Sequence, residues 1–248
     1  SGPVSANDLS MTAVKDTLAS IPGEHNYIYV RTPLGEDEEK NYDEITFYDG
    51  LGRELDFAQS YGADRAGAIM AHHHLIEYDS LGRKEKQWLS TNTSFSYMSP
   101  EDLKGGVLWD YHDAGKRSYL QTNYESSPLN RITEQYGVGD AWGDHPARME
   151  YLTNIPADSL RCSFYFIDDN DSLIRRGDYR SGELQVTKAT DEDGKPTYTF
   201  VDKQGRTLLT RLGRGNQQAD TYFVFDRFGR IRYVLPPMIN DEISAGNL

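Results

Sequence analysis

Ile45-Thr46-Phe47-Tyr48-Asp49-Gly50-Leu51-Gly52-Arg53 is the stretch on which the fold turns: an apolar run closes on an aromatic residue, and Asp, two variable residues, Gly and Arg follow. The same order returns at Tyr78-Asp79-Ser80-Leu81-Gly82-Arg83, at Val201-Asp202-Lys203-Gln204-Gly205-Arg206 and at Phe225-Asp226-Arg227-Phe228-Gly229-Arg230. Each copy follows a run able to arrive as a strand and precedes one able to return. Repetition of this kind has to be explained before any binding or catalytic site is sought.

Chemically the pattern reads as a hairpin corner. The aromatic or β-branched residue closes the incoming strand, and the Asp carboxylate accepts backbone N–H groups inside the turn. Gly then takes the left-handed conformation, and a glycine bulge restores the twist that the return strand needs. Arg opens that strand and can pair with Asp across the neck, an exposed contact worth about 0 to 1 kcal/mol. The glycine is expected to matter most, since a β-branched residue in its place costs on the order of 1–3 kcal/mol of backbone strain. A further hairpin is signalled at Asp191-Glu192-Asp193-Gly194-Lys195, whose return strand feeds the third copy.

Composition agrees with strands and turns, because 17 Tyr, 9 Phe and 3 Trp accompany 22 Gly and 10 Pro. At 248 residues a sizeable core can be buried without covalent staples. Cys162 is the single cysteine, which excludes an intrachain disulfide and a zinc site built from several thiolates. Acids outnumber bases 39 to 26, so the field repels phosphate backbones and anionic headgroups, and no nucleic-acid partner is expected. No run approaches the roughly 20 apolar residues of a membrane span. The opening Ser1-Gly2-Pro3-Val4 has none of the regions of a signal peptide, and both ends read as cut from something longer.

Residues 1–24 are expected to form a tail or one short helix over 8–20, stopped by Pro22-Gly23, and residues 25–248 a β domain. The acidic loop at 35–44 reads as solvated. A second helix is expected from Ser99-Pro100-Glu101-Asp102-Leu103, with Ser as cap and Pro in the first helical position, ending at Gly105-Gly106. Strands are expected at 163–167, 184–188, 197–201, 207–212 and 222–234. The fold expected is all-β: antiparallel hairpins in a curved, twisted sheet or partial β-shell, with one or two short helices.

The repeated pattern resembles that of the Rhs, or Tyr-Asp (YD) repeat, family of large secreted bacterial proteins. The stretches at 26–33, 127–131, 182–184, 191–195 and 233–237 resemble, in that order, an uncharacterised domain that opens many such proteins. The resemblance runs from His25 to Pro237. Val201 and Phe225 stand where the family has Tyr, and Tyr124-Glu125 keeps a strand ending without a Gly-Arg turn. The resemblance implies a non-catalytic scaffold, secreted or at the cell surface, that contributes to or caps a β-shell housing or presenting a C-terminal effector. Its partners would be downstream repeats of the same parent chain. Nothing in the segment resembles the family's autoproteolytic core, so the roles implied for Tyr48, Asp49, Gly52, Arg53 and their counterparts are structural, and no catalytic residue or cofactor is implied.

Other chemistry is less well supported by the residues. His72 and His74 share one strand face, but two ligands are too few for a metal, and completion would need His25, His112, His145 or a carboxylate. Asp168-Asp169-Asn170-Asp171-Ser172 opens like a calcium loop, yet Leu173 and Tyr179 occupy the positions of its Gly and bidentate Glu, so a turn is expected. Cys162 reads as a small buried thiol. Trp88, Trp109 and Trp142 offer the alternative reading, an adhesion or glycan-binding module; core filling is the preferred account of them.

Overall fold

A computed structural model of the chain describes residues 11–19, 21–33, 41–63, 68–112, 115–214 and 217–239. Contacts divide it into two units, one comprising 1–130 with 136–144 and the other 131–135 with 145–248. Most of the acidic loop expected at 35–44, and the outermost residues of both ends, lie outside the described residues.

The first unit begins with α1 (Met11–Ala19), whose Val14 is fully buried. Then β1 (Asn26–Pro33), β2 (Asn41–Tyr48), β3 (Glu54–Ala63), β4 (Ile69–Tyr78) and β5 (Lys84–Trp88) follow side by side, each antiparallel to the next. β6 (Thr91–Ser94) pairs with the first half of β4, and β7 (Tyr119–Tyr124) with β5. Burial alternates along β2, so Ile45 and Phe47 face inward and meet Val14, Ala58, Ala71 and Phe95. That alternation is the period-2 signature of a strand with one face on a core.

Between β6 and β7 lies α2 (Pro100–Asp110). Ser99 caps it by accepting the Asp102 backbone N–H at 3.1 Å, as the sequence indicates. The helix does not stop at Gly105-Gly106. A Cβ at Gly106 would stand 2.6 Å from Thr91 Oγ1, so this glycine permits close approach of helix and strand, and packing of Leu103 and Val107 outweighs its low propensity.

The second unit carries β8 (Ile132–Tyr136), β9 (Ala147–Thr153), a separate ribbon of β10 (Ser163–Ile167) and β11 (Leu173–Asp178), then β12 (Gln185–Thr190), β13 (Pro196–Val201), β14 (Thr207–Arg214), β15 (Gln217–Phe225) and β16 (Ile231–Leu235). Apart from the ribbon, the strands run antiparallel in the order β8-β9-β12-β13-β14-β15-β16. The ribbon covers one face: Tyr165 meets Tyr222 edge-on at 5.0 Å, and the Ser163 N–H donates to the Tyr222 hydroxyl. Phe200 and Leu209 are fully buried beneath it, worth roughly 1.5–3 kcal/mol each.

The all-β class of antiparallel hairpins is therefore the observed one. β7 ends at Tyr124, where the sequence shows a strand ending, whereas β8 and β9 are not expected from sequence; their side chains are mostly half-buried and carry Gln, Glu and Arg, so no apolar alternation announces them. Among the described residues, no helix is long and apolar enough to cross a membrane.

Candidate functional site

All four repeats fold into one corner. The Asp backbone N–H donates to the Arg carbonyl at 2.9–3.0 Å, and the Gly N–H to the Asp carbonyl at the same range, in Asp49–Arg53, Asp79–Arg83, Asp202–Arg206 and Asp226–Arg230. The glycines sit at φ of 76° (Gly52), 81° (Gly82), 79° (Gly205) and 77° (Gly229). Tyr48, Tyr78, Val201 and Phe225 end the incoming strands, and the register slips by one residue beside each. The slip is a bulge on the return strand.

The Asp carboxylate divides its work. Oδ1 accepts two backbone N–H groups, at Asp49 those of Leu51 (2.8 Å) and Arg53 (3.0 Å), while Oδ2 accepts the Arg53 Nε at 2.7 Å. The other three corners repeat this arrangement. These bonds hold the four carboxyls below the ordinary Asp range. At Asp49 and Asp226 the Arg backbone N–H is the largest influence; at Asp79 and Asp202 burial pushes upward most strongly and the hydrogen bonds together outweigh it.

Three of the four Arg side chains also reach beyond their own corner. Arg53 lies 4.5 Å from the centroid of Tyr78, whose hydroxyl donates to the Glu54 carbonyl at 2.7 Å. Arg83 lies 4.6 Å from Tyr124, whose hydroxyl donates to the Lys84 carbonyl at 3.0 Å. In the second unit Arg131 and Tyr151 repeat the clamp at 4.6 Å, with the Tyr151 hydroxyl on the Ile132 carbonyl, and Arg206 covers Phe225 at 5.1 Å. Arg230 covers Phe228 of its own turn instead. The guanidinium thus joins one corner to the aromatic residue that ends a neighbouring strand. Sequence reasoning gave the Arg a role across its own neck alone.

Further corners share the geometry under altered sequences. Asp191 to Lys195 has the same closing bonds, with Gly194 at φ 78°. Asp168 to Ser172 has them too, with Asp171 in the glycine position at φ 63°; this is the turn expected there. After Tyr124, Asn130 stands at φ 55° and the Leu129 N–H donates to Ser127 Oγ. A left-handed residue followed by Arg131 therefore does follow this strand, with Ser and Asn replacing Asp and Gly. Those substitutions hide the pattern in the sequence.

Buried polar residues hold the longer connections. Asn154, fully buried, donates to the Tyr179 and Arg180 carbonyls and accepts the Leu184 N–H at 2.8 Å, which closes the excursion that carries β10 and β11. Arg211 grips Asp220 through two nitrogens and donates to the Ser159 and Arg161 carbonyls. In the first unit His73 lies between Asp56 and the Ser94 carbonyl, both within 3 Å.

The three histidines are thereby separated. His73 is buried, while His72 turns to Asn92 and stacks on Tyr61 at 4.4 Å, and His74 faces Phe57. Among the described residues no three His, Cys, Asp or Glu side chains gather as metal ligands. Burial pushes the Cys162 thiol up to about 12. Trp88 is half-buried and bonded to Glu77, but Trp109 is 83 % and Trp142 46 % exposed, so core filling does not account for these two.

A family described as a domain of unknown function (DUF6443) matches residues 26–153. No curated protein matches. The fold is similar to that in the crystal structure of TcdB2-TccC3-Cdc42, with TM-score 0.54 and 14 % identity over 96 % of this chain and 11 % of that one. It is likewise similar to TcdB2-TccC3, with TM-score 0.52 and 13 % identity over 90 % of this chain and 10 % of that one. The chain spans about a tenth of the length of these solved chains.

Proposed function

The chain belongs to the DUF6443 family, matched over residues 26–153, and from that premise we propose that it is a non-catalytic wall segment of a larger secreted Rhs-type, Tyr-Asp-repeat protein, contributing to a β-shell that houses or presents an effector. The observation that carries this reading is the clamp between corners: Arg53 on Tyr78 and Arg83 on Tyr124 couple successive hairpins laterally. Such coupling gives a row of hairpins nearest-neighbour stability, as a repeat wall requires. The fold shared with a tenth of a much longer chain supports the same reading. Its partners are then downstream repeats of the same polypeptide, meeting a strand edge that would otherwise be open.

The test is electron microscopy of the full-length product of the reading frame. The segment is expected within the wall of a hollow particle, its strands continued by neighbouring repeats. A separate bead outside any shell would reject the proposal.

The exposed Trp109 favours a second reading, adhesion through a glycan. Reproducible binding on a glycan array that disappears in Trp109→Ala would support it; an array without binding would leave the scaffold alone.

A further inference from the structure

One edge of the ribbon in the second unit carries no partner strand. β10 pairs with β11 and with no other strand among the described residues, so beyond Ser163, whose N–H the Tyr222 hydroxyl takes, alternate N–H and C=O groups face outward along its other edge. The whole of β10 lines a cavity of about 510 Å³, together with Leu208, Phe223 and Phe225, and no residue of β11 does so. The cavity therefore lies on the unpaired side of β10. At Phe164, Tyr179 and Arg206 it adjoins a second cavity of about 630 Å³, lined also by Arg176, Arg180 and Lys203.

The charges along this groove are unevenly satisfied. Its carboxylates are engaged: Asp202 by Arg206, Asp226 by Arg230, Asp178 by Arg175 and Ser163, and Glu183 by the Arg180 backbone N–H. The side chains of Arg176, Arg180 and Lys203 are exposed and make no ion pair among the described residues. In a chain of net charge −13, one end of the groove is thus locally cationic. The opposite end approaches Asp168, Asp169 and Asp171 beside Arg227, Arg230 and Arg232, and there Arg232 pairs with Asp171 and Arg230 with Asp226.

We infer that this groove binds an extended peptide that adds as a strand to the free edge of β10, seats apolar side chains in the first cavity and places acidic residues on Arg176, Arg180 and Lys203. Strand addition supplies affinity through the main chain, and the cavities beside it supply specificity. A peptide matches both features, a run of backbone donors and acceptors and a cluster of unpaired positive charge; a neutral sugar would leave the charge unused.

The test is an array of octapeptides with alternating apolar residues and three Glu at one end, screened against the full 248-residue chain and followed by fluorescence polarisation of the best binder. Three results are expected. Exchanging Glu for Lys weakens binding at least tenfold. N-methylation of alternate backbone nitrogens does the same, because it removes donors without changing charge. The double variant Arg176→Glu, Lys203→Glu loses at least tenfold while its unfolding midpoint stays unchanged, and reversing the peptide charge restores part of the loss. An array with no binder, binding indifferent to N-methylation, or a polygalacturonate chain binding at these residues where no peptide does would each overturn the inference.

Discussion

The guanidinium of Arg53 lies 4.5 Å from the ring centroid of Tyr78, the residue that ends the incoming strand of the next repeat, and a Cβ placed on Gly82 would meet Arg53 Nη1 at 3.1 Å. One corner is thus built partly from the side chain of another. A double-mutant cycle with Arg53→Ala and Tyr78→Leu should show a coupling of about 0.5–1 kcal/mol in urea unfolding, the size of a partly exposed cation–π contact. Additive effects would mean that the corners are stacked but energetically independent.

Gly205 has open space around its missing Cβ, so replacement there reads backbone conformation alone. Gly205→Val is expected to cost about 1–3 kcal/mol, and Gly205→Asn clearly less, since Asn and Asp tolerate the left-handed region. The protein already displays that tolerance at Asp171 (φ 63°) and Asn130 (φ 55°). Equal losses for Val and Asn in chemical denaturation would contradict the argument.

Asn154, itself fully buried, supplies a donor pair and an acceptor to the backbone of a distant segment. Asn154→Ala should therefore destabilise by on the order of 2–4 kcal/mol, because three hydrogen bonds are lost at once and the buried Leu184 N–H is left without its partner. Limited proteolysis should then cut first within residues 155–183. A loss below about 1 kcal/mol would show that other contacts close this excursion.

The corner carboxyls of Asp49, Asp79, Asp202 and Asp226 titrate below their ordinary range in the folded chain. A depressed folded pKa contributes stability that is complete above the unfolded value, about 3.9, and is lost as pH falls through the folded value. Stability should accordingly decline below about pH 4, and the Asp202→Asn variant should show a shallower decline over the same window. Parallel acid limbs for the two proteins would remove Asp202 from the account.

Burial pushes the Cys162 thiol up to about 12. At neutral pH a native sample should leave a disulfide reagent almost unconsumed, while the urea-unfolded chain reacts stoichiometrically, since only the thiolate attacks. Rapid reaction of the native chain would place Cys162 at the surface.

Features closed by bonds between near neighbours are legible in the sequence wherever the residue types keep the pattern, which the corner at Ser127 to Arg131 does not. The corners at Asp49, Asp79, Asp202 and Asp226, the turns at Asp168 and Asp191, and the Ser99 cap all satisfy backbone groups within about four residues, so residue type and spacing sufficed to determine them. Tertiary structure decided what depends on partners far along the chain. It carried α2 through Gly106 by packing against Thr91, paired polar β8 with β9, gave Arg131 the ring of Tyr151, and set buried Asn154 where it closes the excursion between β9 and β12. The physical reason is range: a turn is stabilised by groups that the sequence already places together, whereas a clamp, a pin or a groove exists only after folding has brought its members into contact.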